Sequence, residues 1–319
     1  MTAPRSPSRG HVPLGPGGEF DIIRRMLAVW GGIATGIGDD AATIAPPAGR
    51  LVVSTDTSVE DVHFRRDWLT HAEIGYRATA AALSDLAAMA ASPLGVFLAL
   101  TLPESEVPAV DELARGVGDC IRACDTKILG GDVTRGAKLA LTLTVLGSAS
   151  HPLLRSGAVA GDRVYVTGRL GGPVSALREY REGRTPAKPA RERFAHPVPR
   201  LKEARWLASR GSHAAIDISD GLIADARHLA VASGVGLHLR SESVPVLAGA
   251  KPVDALASGE EYELLVTSPG PLDAAAFRAE FGLDLTEIGE AQGDEADVVL
   301  TAGGRRVAPP AGYDHFTAQ

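Results

Sequence analysis

The sequence predicts an α+β protein built as two domains, and three observations carry that expectation. Strand-like and helix-like segments are mixed without the regular strand–helix–strand beat of a doubly wound sheet, which favours sandwich-like α+β domains. The chain has 319 residues, beyond the roughly 250–300 at which a single hydrophobic core stops growing. The composition also changes at "HPLLRSGAVAGD" (151–162), a turn-rich stretch followed at once by a new apolar run. The expected division is a disordered tail over 1–18, an N-terminal domain over 19–150 and a C-terminal α+β domain over 151–319.

Taken in order, the first 18 residues are rich in Pro, Gly and Ser and lack the apolar core of a signal peptide. A helix is expected over Glu19–Val29, with Ile22, Ile23, Met26 and Leu27 on one side. "LVVST" (51–55) reads as a buried strand. Residues 71–91 are alanine-rich, with Ile74, Leu83, Leu86 and Met89 near helical spacing, and a helix apolar almost all round should be buried. "GVFLALTL" (95–102) and "KLALTLTVLG" (138–147) read as strands; a helix over Asp111–Cys124 and the short strand "KILGG" lie between them. "RVYVTG" (163–168) opens the second half, and the proline- and arginine-rich 183–200 reads as an exposed loop. "AAIDIS" (214–219) is a strand leading into a helix over "DGLIADARHLAVASG", with Ser219 or Asp220 to cap it and Gly234 to end it. "EYELLVT" (261–267) and "VVL" (298–300) complete the strands.

A formal net charge of −7, with no run of like charges, argues against a nucleic-acid partner, which requires a clustered basic surface. No apolar run approaches the ~20 residues of a membrane span, so a soluble cytoplasmic protein is expected. Cys120 and Cys124 could share a helical face, but nothing nearby completes a four-ligand zinc site, and they read as small apolar residues in a reducing compartment. The chain contains no Gly-Lys dipeptide, hence no Walker A loop, and neither G-x-G-x-x-G, H-E-x-x-H nor G-x-S-x-G.

What stands out is a spread of aspartates at element ends: "GIGDDAA" (36–42), "STDTSVEDVHF" (54–64), "ALSDLAAM" (82–89), "GGDVTRG" (130–136) and "AIDISDGL" (215–222). Asp85 lies inside an otherwise apolar helix, where an ionised carboxylate is costly unless it is paired or bound to metal. Any one of these aspartates could be an N-cap, an Asx turn or half of a salt bridge; five such segments point further. Oxygen-only ligands suit Mg²⁺, Mn²⁺ or Ca²⁺, and Mg²⁺ characteristically bridges one or two carboxylates to substrate phosphates. Three glycine-bearing turns, "GG" before Asp132, "RSGAVAGD" and "SDGL", could add N–H donors for phosphate. The residues therefore point to a divalent-metal, phosphate-handling enzyme.

These segments, with "GYRATAAALSDLAAM", "LRSGAVAGD", "VTGRLGG", "SGEEYELL" and the closing "GYDHF", resemble in order the thiamine-monophosphate kinase family of the aminoimidazole-ribonucleotide synthetase-like superfamily, over about Glu19–Phe316. The resemblance implies a two-domain aminoimidazole-ribonucleotide synthetase-like fold whose N-terminal sheet pairs across a homodimer, with a C-terminal α+β domain. It implies direct transfer of the γ-phosphoryl of ATP to thiamine monophosphate, ATP being co-substrate and several Mg²⁺ ions cofactors. Positioning and charge neutralisation dominate such a transfer, and no side-chain general base is expected. Carried onto this chain, the metal ligands are Asp40, Thr55, Asp56, Asp85, Asp132, Asp217 and Asp220, with Asp39 shaping the turn. Gly131, Asp132, Arg155 and Ser219 match nucleotide contacts, and His63, Glu260 and Tyr313 line the thiamine site.

There are two departures. The family's Gly-Glu-Asp-Tyr-Glu run is "GEEYE" here, with Glu261 in place of aspartate, and no aromatic stands near Ala114, where relatives often carry one that could pack on adenine. Among rival ATP-using relatives, selenophosphate synthetase would show an N-terminal Cys or selenocysteine with a nearby Lys, and residues 1–50 contain neither Cys nor Lys. A hydrogenase-maturation dehydratase would need a C-terminal Cys where this chain reads "DHFTAQ", and the purine enzyme does not generally carry "GYDHF". A non-catalytic nucleotide-binding relative would have little use for so many costly carboxylates.

Overall fold

The structure is a computed structural model that describes residue 11, residue 14 and residues 16–38, 40–293 and 295–310. It divides into two compact units, one of residues through Ala82 with Pro93–Gly147, the other of Leu83–Ser92 with the residues from Ser148 onward.

The first unit carries a four-stranded sheet in the order β1-β4-β2-β3, formed by β1 (Arg50–Val59), β2 (Ser92–Leu102), β3 (Ile128–Arg135) and β4 (Ala140–Ala149). Strict alternation along "ALTLTVLGSA" buries every second β4 residue, so one face is fully buried and the other half-buried. Thr55 faces Thr144 at 2.9 Å and Thr57 faces Thr142 at 3.0 Å, the falling register of an antiparallel pair. β2 and β3 run parallel, Leu98 opposite Gly131, and a parallel pair needs a crossover, here α3 (Val110–Ala123). α3 packs on α1 (Gly18–Trp30), where the Trp30 indole N–H donates to the Ala114 carbonyl at 2.8 Å. It also crosses α2 (His71–Ala88) at glycines: a Cβ on Gly75 would lie 2.3 Å from the Leu113 carbonyl, and one on Gly116 1.8 Å from that of Ala72. β1 is an edge strand, and Leu51 and Val53 on its open face are about half exposed.

The second unit is built on a seven-stranded sheet in the order β11-β10-β7-β9-β5-β8-β6. Its strands are β5 (Arg163–Thr167), β6 (Ala214–Asp217), β7 (Gly236–Arg240), β8 (Leu264–Ser268), β9 (Leu285–Gln292), β10 (Val298–Ala302) and β11 (Arg305–Val307). Neighbouring strands of this sheet run antiparallel except β7 and β10, which are parallel. The helices are α4 (Gly172–Arg181), α5 (Lys188–Ala195), α6 (Leu201–Ser209), α7 (Leu222–Ser233), α8 (Pro252–Ala257) and α9 (Ala274–Phe281). α7 lays Leu222, Ala226 and Leu229 on the sheet residues Val166, Ile216 and Leu265 to form the core. No described helix is long and apolar enough to cross a membrane.

Two expectations are corrected. Residues 183–200 are not an exposed loop: Pro189 sits in the first turn of α5, where its missing N–H costs nothing, and Ala190, Phe194 and Ala195 are buried. Phe194 packs on Tyr180 of α4 with ring centroids 5.7 Å apart. The N-cap of α7 is Gly221 and not Ser219 or Asp220, and no side chain caps it from that position. Gly234 does end the helix, in the left-handed conformation (φ 70°, ψ 32°).

Candidate functional site

In the second unit the polar chemistry gathers where β6 ends. Four buried residues, Ala214–Asp217, deliver the Asp217 carboxylate at 4% exposure. Ser84, in the last turn of α2, donates its hydroxyl to Asp217 Oδ2 at 2.6 Å. Burial pushes the Asp217 carboxyl up to about 6, the neighbouring Asp85 carboxylate adds to that, and Ser84 and Arg155 oppose it. Asp85 is half-buried, the one acid in a helical turn whose neighbours Leu83, Ser84, Leu86 and Ala87 are fully enclosed. Four carboxyls influence one another here, since Asp217 and Asp220 both raise Asp225.

The turn after β6 is organised from within. Asp225, one turn into α7 and only 1% exposed, accepts the N–H groups of Ser219, Asp220 and Gly221 at 3.0, 3.0 and 3.1 Å, all on Oδ2. Burial and then Asp217 push its carboxyl up to about 8, while the N–H groups of Asp220 and Ser219 pull it down. The facing segment, Ser258–Glu263, is laced to the same turn: Glu260 N–H donates to the Ser219 carbonyl (2.7 Å) and Tyr262 N–H to that of Ile218 (2.9 Å). Gly259 leaves room for this, since a Cβ there would stand 2.6 Å from the Ser219 carbonyl oxygen. Asp85, Asp217, Ser219, Asp220 and Glu260 are thus presented by one unit, as is Arg155. The exposed turn that carries Arg155 is held by Ser233, whose hydroxyl donates to the Arg155 carbonyl at 2.6 Å.

The first unit presents the remaining described candidates. Thr55 and Asp56 are adjacent in β1, so their side chains leave opposite faces of the sheet. Thr55 Oγ1 is engaged by Thr144, and Asp56 Oδ1 accepts the Thr57 N–H at 2.8 Å. His63 closes the tight turn after β1, its Nδ1 accepting the Val59 N–H at 3.1 Å. Gly131 lies so close to β2 that a Cβ would fall 1.9 Å from the Leu98 carbonyl oxygen, and Asp132 follows it, exposed. Asp40 is exposed in the segment before β1. Ala114 is fully buried beneath Trp30. Asp39 and Tyr313 lie outside the described residues.

Among the described residues no three His, Cys, Asp or Glu groups converge as a ready-made metal cage. The donors nonetheless fit Mg²⁺, which takes one or two carboxylates and completes its octahedron with water and phosphate oxygens. Asp217 and Asp85 are such a pair: hard oxygen donors, one of them buried, whose mutual repulsion a divalent cation would relieve. Reading the sequence alone missed Asp225 and a second ionic group, Glu261 and Glu263 with Arg193 and Arg200. An acid one turn inside a helix after Ser-Asp-Gly is a readable cue for Asp225; nothing local ties arginines 193 and 200 to glutamates some 60 residues away.

This architecture and site define an AIR synthase-related protein. Residues 38–149 match the N-terminal domain of AIR synthase-related proteins and 159–301 the C-terminal domain. The thiamine-monophosphate kinase of Salmonella typhimurium is 37% identical over 324 aligned positions, covering 94% of this chain and 98% of that protein. A crystal structure of thiamine-monophosphate kinase from Stenotrophomonas maltophilia K279a superposes with a TM-score of 0.80 at 33% identity, over 91% of this chain and 98% of that one. A structure described as AaThiL complexed with AMPPCP and TMP gives 0.74 at 30% identity, over 93% and 96%. The chain belongs to the thiamine-monophosphate kinase family.

Proposed function

We propose that this protein transfers the γ-phosphoryl group of ATP to the phosphate of thiamine monophosphate, giving thiamine diphosphate and ADP. The observation that carries the reading is nearly full-length likeness to thiamine-monophosphate kinases, one relative being described with AMPPCP and TMP together. An oxygen of the acceptor phosphate forms the new bond to the γ-phosphorus as the bond to the β-bridging oxygen breaks. That acceptor is largely ionised at neutral pH, since its second pKa is about 6, so no side-chain base is required. Bound Mg²⁺ would supply charge neutralisation on the phosphates. The residues proposed to hold the Mg²⁺ ions are Asp40, Thr55, Asp56, Asp85, Asp132, Asp217 and Asp220. Gly131, Asp132, Arg155 and Ser219 are the proposed nucleotide contacts, and His63, Glu260 and Tyr313 the proposed acceptor contacts. A cytoplasmic location, where ATP and Mg²⁺ are at hand, belongs to the same reading.

The homodimer is part of it too. The edge position of β1, and Leu51 and Val53 exposed on its face, are features that natural sheets cover. Light scattering should return twice the chain mass.

The deciding experiment is phosphorus NMR of the purified protein with Mg²⁺, ATP and thiamine monophosphate. The two coupled resonances of thiamine diphosphate should grow as ADP appears. If none forms with enzyme at stoichiometric concentration, the proposed function is wrong.

A further inference from the structure

The second unit holds an ionic lattice that phosphoryl transfer does not itself employ. Glu263 is completely buried, and its carboxylate accepts Arg200 Nε (2.8 Å), Arg200 Nη2 (2.5 Å), Arg193 Nη2 (2.7 Å) and the Thr167 hydroxyl (2.6 Å). Burial alone would raise this acid, yet Arg200 and Arg193 hold it down to about 2, so it is an ion. Glu261, 1% exposed, accepts the Gly171 N–H and faces the same Arg193 Nη2 at 3.4 Å; that nitrogen also donates to the Glu261 carbonyl at 3.2 Å. A single guanidinium on α5 thus grips two side chains and the main chain of one short loop.

The residues on either side of Glu261 are strained. Glu260 (φ 59°) and Tyr262 (φ 53°) are both in the left-handed region without being glycine, a conformation that a Cβ disfavours. Such a conformation persists only where its surroundings over-determine it. The surroundings here are the lattice on one side and the two N–H bonds to Ser219 and Ile218 on the other. Releasing the anchors would let Glu260 relax to an ordinary conformation and carry its carboxylate elsewhere.

We propose that Arg193 is a positioning residue for the acceptor: through Glu261 and Glu263 it fixes the left-handed backbone at Glu260 and so aims that carboxylate at a cationic heteroaromatic acceptor. This rests on the proposed function, which sets Glu260 beside the thiazolium-bearing substrate. The Glu261 carboxylate reaches both Gly171 and Arg193.

The test uses the full chain with Arg193→Met, Arg193→Lys and Glu261→Gln. KM for thiamine monophosphate should rise by about tenfold in Arg193→Met with KM for ATP within about twofold of wild type. Arg193→Lys, which keeps the charge and one donor, should fall between the two. Hydrogen exchange read without substrate should quicken at the Glu260 and Tyr262 amides by about tenfold or more in Arg193→Met and Glu261→Gln, with β5 and β8 unchanged. Both KM values rising together, uniform loss of protection across the second unit, or wild-type behaviour in Arg193→Met would each overturn the proposal. A wild-type enzyme that makes no thiamine diphosphate overturns the functional reading instead, and the exchange measurement still decides whether Arg193 holds the loop.

Discussion

The three amides that converge on Asp225 give a perturbation whose size can be worked from the structure. Replacing Asp225 by alanine removes the acceptor for the Ser219, Asp220 and Gly221 N–H groups. Gly221 is buried, and an unsatisfied buried donor costs about 1–3 kcal/mol. Ser219 and Asp220 are half-exposed, so water can partly replace the acceptor, at about 0.5–1 kcal/mol for each bond lost. Against this, the variant relieves the repulsion of Asp225 with Asp217 and Asp220, which with burial raises its carboxyl to about 8. At pH 7 that carboxyl is then mostly protonated, so the relief is small and the lost hydrogen bonds win. The expected net loss is about 2–5 kcal/mol, or roughly 4–20 °C in Tm for a unit of this size. Asp225→Asn keeps one oxygen for the amides and should lose no more than about 1 kcal/mol. Thermal unfolding at pH 7, followed by calorimetry, distinguishes them, and KM for ATP should rise further in the alanine variant because the same turn carries Ser219. An Asp225→Ala protein within about 0.5 kcal/mol of wild type would show that the turn is held by something else.

Asp217 makes stability pH-dependent in a stated direction. Its folded carboxyl, raised from 3.8 to about 6, keeps a proton that the unfolded chain gives up, so metal-free stability should fall between about pH 4 and 6, by roughly 3 kcal/mol in all. Asp217→Asn should flatten that fall in urea titrations with EDTA, and Mg²⁺ should restore the wild type above pH 6; a slope unchanged in Asp217→Asn would contradict the assignment. Gly131→Ala drives a Cβ to 1.9 Å from the Leu98 carbonyl and should separate β2 from β3 at a cost of about 3 kcal/mol or more. Wild-type thermal stability in that variant would disprove the close approach. Phe194→Ala should cost about 3–5 kcal/mol, whereas a loop residue there would cost under about 0.5.

Where the sequence spoke clearly, a single period dominated: alternation in "LALTLTV" marked β4, and the alanine-rich apolar run of α2 announced its burial. The segments it concealed mix their signals. β9 reads "LTEIGEAQ", with two glutamates and a glycine breaking the alternation, and it is held by pairing with β5 and β7 on either side. In "KPARERFA" the proline and arginines suggest a loop, and only tertiary contact with α4 and Glu263 makes it a helix. The site divides in the same way. Asp85 and Asp217 were legible because a carboxylate in apolar company needs a reason. Arg193 was not, because its glutamate partners are distant in sequence and leave no local pattern; Asp225, whose amide partners are four to six residues before it, left a local cue that was passed over.

The crossing of α2 and α3 bears on how this sequence can vary. At Gly75 and Gly116 the obstacle to a side chain is the opposite helix's main chain, at Leu113 and Ala72. A clash with a side chain can be suppressed by trimming that side chain; a clash with a carbonyl cannot. A substitution at either glycine therefore has no compensating second-site change within the crossing, and the two positions should behave as fixed points in any selection for function. Tolerance in this part of the first unit is to be sought on the outer faces of the helices.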